Sequence, residues 1–327
     1  MIRRFNRFEL KYILPVSQCA RIIEDLKHHI PPDSHGGDEG YPLVSLYYDS
    51  PQLDCFWAKV EGIRFRRKVR LRIYPGDDIT RVAKGSVEIK QRINKTVQKK
   101  RLELPLEQAE RLCVGQMELD GLDEMDTQVA HEVTYLSRML DLRPTAITAY
   151  WRRAFEGQEE NAGVRVTFDT MVAARMHALK VNEPAVNRLI LPADYSIMEL
   201  KADERVPEWA ISMLARHECQ LNRVSKYCAG VAQLRNFNLG ARALSPGVPL
   251  PLEPGEGERA VSSSTVSQNA VSLNATSPTT ATPNTAAQST SAHDTPAQNT
   301  PAQNTSAQNA VAPSSGPDGS GPPISEP

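Results

Sequence analysis

Four short stretches alternate apolar and charged residues, and this alternation limits the fold more than any other feature of the chain. "KVRLRIY" sets Val69, Leu71 and Ile73 against Arg70 and Arg72. "SVEIKQR" sets Val87 and Ile89 against Glu88, Lys90 and Arg92. "RFELKY" gathers Arg7, Glu9 and Lys11 on one side, and "GVRVTFD" gathers Arg165, Thr167 and Asp169. A period of two belongs to a strand whose faces meet different surroundings. The chain must build a sheet with one apolar and one ionic face, and the question is what the ionic face meets.

Between these strands lie amphipathic helices. "VSQCARIIEDLKHHI" puts Val16, Ala20, Ile23 and Leu26 on one side. Helices are also predicted at "PLEQAERLCVG", "DTQVAHEVTYLSRMLDL", "PEWAISMLARHEC" and "VSKYCAGVAQLRN", with a short helix or turn at "DCFWAKVEG". Further strands are predicted near residues 43–50, 96–104, 145–155 and 195–202. The total is about eight largely antiparallel strands with helices between and after them.

The chain is not uniform. Beyond Phe237 there is no Phe, Trp or Tyr, and from about Leu244 the chain is largely Ser, Thr, Pro, Ala, Asn, Gln and Gly with the near-repeats "TPAQN", "TPAQN" and "TSAQN". Such a segment has too little apolar surface to offset the entropy of ordering. Residues 241–327 are expected to be a disordered tail and residues 1–240 an α+β domain. The tail holds two basic and six acidic residues, which leaves 36 basic and 33 acidic in the domain. That balance shows no nucleic-acid-binding excess, so any electropositive site must come from local arrangement. Five cysteines, with no CxxC and no zinc-like spacing, read as reduced thiols of a cytoplasmic protein. No apolar run approaches bilayer length, and no signal peptide is recognised.

Two arrangements answer the question about the ionic face. In the first, the apolar faces share a core and the charges face water, as in most half-buried sheets. In the second, the strands close into a barrel with its apolar faces outward under the helices and its charges inside. Arg supplies many of the charges, and four or five apolar helix stripes need a surface to cover; both favour the second. An eight-stranded barrel is wide enough for one elongated ligand. Its charges must be paired or occupied by an anion, and Arg forks match phosphate oxygens. The ligand implied is a linear phosphate chain.

"RFELKY", "SLYYDSPQ", "KVRLRIY", "SVEIKQR", "AYWRRAFEG", "GVRVTFDT", "IMELK" and "VSKYCAG" occur in an order that resembles the VTC domain, the polyphosphate-polymerising branch of the triphosphate tunnel (CYTH) superfamily. The resemblance covers about residues 3–236. It implies a closed antiparallel barrel tunnel with helices packed outside. It implies phosphate contacts from Arg70, Arg72, Lys90, Arg152, Arg165 and Lys226, and substrate binding by Lys11, Lys99, Tyr150, Ser225 and Lys201. It also implies Mn²⁺ or Mg²⁺ held chiefly by Glu199, with Glu88 and Glu9 as auxiliary ligands. The superfamily's hydrolases open with "ExExK", whereas Arg7 stands here in the place of the first acid. That departure favours the polymerase branch over a two-metal hydrolase.

The activity implied is transfer of the terminal phosphoryl group of ATP, or another nucleoside triphosphate, to a growing polyphosphate chain. A triphosphatase on the same fold and a non-catalytic polyphosphate sensor are the rival readings. Membrane passage of the product would need a membrane-protein partner.

Overall fold

The alternating stretches become strands where their period places them. In chain order the elements are β1 (Arg7–Pro15), α1 (Val16–Lys27), β2 (Tyr41–Asp49), α2 (Asp54–Val60), β3 (Phe65–Ile73), β4 (Lys84–Ile93), β5 (Thr96–Pro105), α3 (Leu106–Cys113), α4 (Glu124–Leu140), β6 (Arg143–Glu156), β7 (Val164–Arg175), β8 (Val186–Leu189), β9 (Tyr195–Asp203), α5 (Glu208–Arg216), α6 (Lys226–Leu234) and β10 (Ala260–Ser262). The computed structural model describes residues 7–94, 96–117, 119–237 and 260–262. All of them belong to one unit, Met1–Ser277. Apart from β10, which pairs with β8, the expected tail lies outside the described residues.

The main sheet runs β1-β9-β7-β6-β2-β3-β4-β5, antiparallel throughout, with β8 added on β7. The expected closure is corrected here: among the described residues, β1 and β5 share no backbone ladder. Side chains span the opening instead, with Lys90 of β4 reaching Glu9 of β1 at 3.0 Å. A ladder needs backbones about 4.8 Å apart, whereas a Lys–Glu pair bridges a wider gap. The first half of β5, with Lys99, Lys100 and Arg101 exposed, suits a strand edge that stays unpaired.

The apolar faces point outward and are covered. Val69, Leu71 and Ile73 of β3 and Val87 and Ile89 of β4 pack with Ala109 and Leu112 of α3 and Val133 and Leu136 of α4. Val164, Val166 and Phe168 of β7 and Met198 and Leu200 of β9 pack with Ile22, Ile23 and Leu26 of α1 and Met213 of α5. The helices therefore take up the hydrophobic face of each strand, and the ionic faces are left on the other side. The last helix differs. α6 lies against the inner side, where Tyr227 and Val231 meet Tyr47 and Ala146.

Asp49 shows how a charged motif residue can be wholly structural. Its buried carboxylate accepts from the backbone N–H groups of Ser50 (2.8 Å), Cys55 (2.8 Å) and Phe56 (2.9 Å), and from the Tyr227 hydroxyl. It thus satisfies the first turn of α2 and ties it to α6. Asp49→Ala leaves these donors buried without an acceptor. Urea denaturation should show a loss of about 3 kcal/mol, with no change in m-value.

Candidate functional site

The inner face holds two ionic clusters. In the first, Glu199 of β9 is buried among lysines: Lys11 Nζ lies 2.8 Å away, Lys201 Nζ 3.1 Å and Lys226 Nζ 3.4 Å. Lys226, the first residue of α6, also lies 2.6 Å from Asp169. Asp169 forms a bidentate pair with Arg152, with bonds of 2.7 and 2.8 Å. Glu9 joins through Lys11 at 3.4 Å and Lys90 at 3.0 Å. β1, β9, β7 and β6 supply this cluster because Lys11 stands opposite Glu199, Glu199 opposite Thr167, and Arg152 opposite Asp169 in the ladder.

The second cluster surrounds Glu88 of β4. Arg70 Nε reaches it at 2.7 Å, Lys99 Nζ at 2.8 Å and Arg101 at 3.1 Å. Arg70 also donates to the Tyr47 hydroxyl at 3.0 Å.

Burial works against ionising each of these carboxylates, but the cations around them win. Glu9 is lowered to about 2 despite burial, by Lys11 and Lys90. Glu199 sits well below the usual range: Lys11, Lys201 and Lys226 outweigh the cost of burial. For Lys201 burial dominates, and its ammonium is lowered to about 8.

Arg72 stands apart. It is 6% exposed, and its partners are hydroxyls: Ser45 Oγ at 3.1 Å and Tyr150 Oη at 3.3 Å. Among the described residues no carboxylate oxygen lies within 4 Å of it. Glu88 acts on Arg72 only through space, where Arg72 is second to Arg70 in favouring the ionised carboxylate. A buried guanidinium whose hydrogen bonds go to hydroxyls still gains when an anion joins it. Tyr150 ties this residue to the first cluster, since the Arg152 guanidinium lies 5.3 Å and the Lys226 ammonium 4.8 Å from its ring. Tyr150 is itself buried, so it orders cations and presents little surface of its own.

The structure thus brings Lys11, Arg152, Glu199, Lys201, Lys226 and Glu9 together, and gathers Arg70, Lys99 and Glu88 beside Arg72. Lys90 bridges to Glu9. Two of the expected residues take their hydrogen-bond partners outside the two clusters. Arg165 is held by Asp33 at 2.6 Å and by Glu156, with Tyr41 at 3.3 Å, while standing opposite Lys201 in the ladder. Ser225 is the N-cap of α6, its Oγ accepting from Cys228 N at 3.4 Å. Arg92, which shares the charged phase, turns back to the carbonyl of Asn94. Asp169, placed on the charged face by the alternation of "GVRVTFD", joins the site, and Arg101 belongs to it although it was not singled out from the sequence. Arg101 could have been found, because it lies two residues from Lys99 on a period-two strand.

No set of three or more His, Cys, Asp or Glu side chains converges as a metal cage among the described residues. Glu199 and Glu9 share Lys11, whereas Glu88 belongs to the other cluster. An ionised Glu199 fits a hard divalent cation that takes most of its oxygens from phosphates, as Mg²⁺ commonly does, and not a resident all-protein site.

Tyr47 offers a direct probe. Burial raises its pKa, but Arg70 and Arg72 outweigh this and bring the phenol down to about 8. The folded value lies below the ordinary value of about 10. Tyr47 ionisation therefore adds stability as pH rises from 8 to 10, and that contribution is lost as pH falls through 8. Absorbance at 295 nm should show a step near pH 8 that is missing in Tyr47→Phe. Bound triphosphate should move the step upward by occupying the same arginines.

The family model described as "VTC domain" matches residues 6–235. No curated protein sequence matches the chain. Among solved structures, a Bacillus halodurans protein, described provisionally as an adenylate cyclase, aligns with TM-score 0.39 and 10% identity over 71% of this chain and 99% of its own. A Vibrio parahaemolyticus protein with the same provisional description aligns with TM-score 0.37 and 12% identity over 68% and 96%. A Pyrococcus horikoshii protein aligns with TM-score 0.30 and 14% identity over 65% and 86%.

Proposed function

This chain belongs to the VTC domain family, and on that premise we propose that it is a metal-dependent polyphosphate polymerase using ATP or another nucleoside triphosphate. The observation that carries this reading is Arg72, buried beside Arg70 and linked through Tyr150 to Arg152 and Lys226, with no carboxylate of its own. A phosphate chain supplies the missing negative charge.

In the proposed reaction an oxygen of the acceptor's terminal phosphate attacks the γ-phosphorus of the nucleotide. The bond from that phosphorus to the β–γ bridging oxygen breaks, and the nucleoside diphosphate leaves with the bond electrons. This chemistry needs alignment and charge neutralisation more than covalent help. Arg70, Arg72, Arg152 and Lys226 neutralise the phosphate oxygens as charge shifts to the leaving group. Lys11, Lys90, Lys99 and Lys201 extend the basic wall along the chain. Asp169 fixes the Arg152 fork and Lys226, so both are in place before substrate arrives. Glu199, with Glu9 beside it, would hold Mn²⁺ or Mg²⁺ carried in by the phosphates, and such an ion supplies further neutralisation of phosphate oxygens.

Incubation of the full chain with ATP and Mn²⁺, followed by product sizing on a gel, tests the reading. Long-chain polyphosphate is the expected product. Orthophosphate alone would assign a hydrolase on this site, and tight polyphosphate binding without turnover would assign a sensor.

A further inference from the structure

One end of the β3–β4 hairpin combines two properties that the phosphate site does not use. It is rich in cations that have no acidic partner among the described residues, and it exposes large apolar side chains. Lys59, Arg64, Arg66, Arg67 and Arg92 lie within or next to the segment from α2 to the start of β3, or across the ladder from it, whereas Lys68 turns inward to Cys228 Sγ at 3.2 Å and the Tyr227 ring. Among the described residues no carboxylate oxygen lies within 4 Å of any of them, although Glu61 sits in the same segment. Their recorded partners are neutral. Arg66 donates to the carbonyl of Ile63 at 2.6 Å, Arg67 to the Gln91 side chain at 2.9 Å and Arg92 to the carbonyl of Asn94 at 2.8 Å. Arg66 and Arg92 face each other in the ladder. Burial lowers the Arg66 guanidinium, and the charge of Arg92 lowers it further.

Apolar side chains stand among these charges. Ile63 is 47% exposed, Phe65 49% and Ile93 39%. Phe65 and Ile93 are cross-strand partners, and the Arg67 guanidinium lies 4.7 Å from the Phe65 ring. Two neighbouring chain tips, one before β3 and one after β4, therefore each carry bulky apolar groups flanked by arginine.

We propose that this tip is a docking surface for an anionic lipid bilayer, with Ile63, Phe65 and Ile93 entering the interface and the arginines contacting lipid phosphates. Charge complementarity selects a polyanion, because the cluster repels itself and has no acidic partner among the described residues. The apolar trio selects a membrane over a soluble polyanion, which gains nothing from exposed Phe and Ile. Cations beside buried aromatic and aliphatic groups form the pattern that binds peripheral proteins to anionic leaflets. No helix of the described residues is long and apolar enough to cross a membrane, so the contact is made at the surface. The proposal does not depend on which reaction the inner face performs.

Vesicle co-sedimentation of the full chain tests it, with saturating tripolyphosphate present so that the inner face is occupied. The chain should bind phosphatidylcholine vesicles containing phosphatidylglycerol and ignore pure phosphatidylcholine. Arg64→Glu/Arg67→Glu should cut the partition coefficient roughly tenfold or more, and Phe65→Ser/Ile93→Ser should cut it by a similar factor. Both variants should keep the wild-type melting temperature and tripolyphosphate affinity. Absence of wild-type binding overturns the proposal. Binding that depends on the arginines but survives Phe65→Ser/Ile93→Ser also overturns it, and assigns the tip to soluble polyanions or acidic proteins.

Discussion

Arg72→Ala should lower tripolyphosphate affinity at least about 100-fold, a loss of about 3 kcal/mol, while leaving the melting temperature nearly unchanged. Most buried arginines would behave differently. Arg152 is paired with Asp169, and its removal would strand a buried carboxylate. Arg72 donates to Ser45 and Tyr150, and Glu88, which it favours through space, keeps Arg70, Lys99 and Arg101, so its removal strands no charge. Its ligand-free state is already the costly one, and the anion relieves that cost. Calorimetric titration and thermal melting of the same sample separate the two quantities. An unchanged affinity would mean that the anion binds elsewhere.

Glu199→Gln should produce the opposite pattern. Glu199 balances Lys11, Lys201 and Lys226, and Lys201 has no other close carboxylate partner recorded. Neutralising it leaves the buried Lys201 ammonium without a direct partner, while Lys11 keeps Glu9 and Lys226 keeps Asp169, so the ligand-free protein should lose about 3 kcal/mol of stability. Tripolyphosphate should restore much of this, because it brings negative charge to the same lysines. The melting-temperature rise on adding ligand should therefore be larger in the variant than in the wild type. If Glu199 also holds the divalent ion, the variant should lose Mn²⁺-dependent turnover even where the ligand has restored its fold. Equal ligand-induced shifts in both proteins would place the phosphates away from this cluster.

Much of this was legible from periodicity. The alternation in "KVRLRIY", "SVEIKQR" and "GVRVTFD" assigned strands to within a few residues, and it put Arg70, Arg72, Glu88, Lys90 and Asp169 on a common side. The apolar stripes of α1, α3, α4 and α5 cover the other side as expected, whereas α6 lies against the inner side. Pairings between distant segments were not legible. Nothing near Arg165 in sequence announces Asp33, which lies 132 residues earlier and neutralises it. Ser225 was expected to bind substrate from the family resemblance alone, and its role as the N-cap of α6 was not read from the sequence. Nothing in the sequence around Asp49 showed that it is the acceptor for the start of α2. Barrel closure failed as an expectation because strand count says nothing about whether the two edges align. Here a Lys90–Glu9 side-chain bridge spans them instead. β8 was missed because four residues give a period of two too little length to show.

The central claim is that the inward ionic face holds a phosphate chain. A crystal soaked with tripolyphosphate and Mn²⁺ tests it most directly. The predicted result is phosphate density within hydrogen-bond distance of Arg70, Arg72, Arg152 and Lys226, with a metal peak between the phosphates and Glu199. Density confined to the outer surface or to the β3–β4 tip, with the Arg72 environment unchanged, would contradict the account.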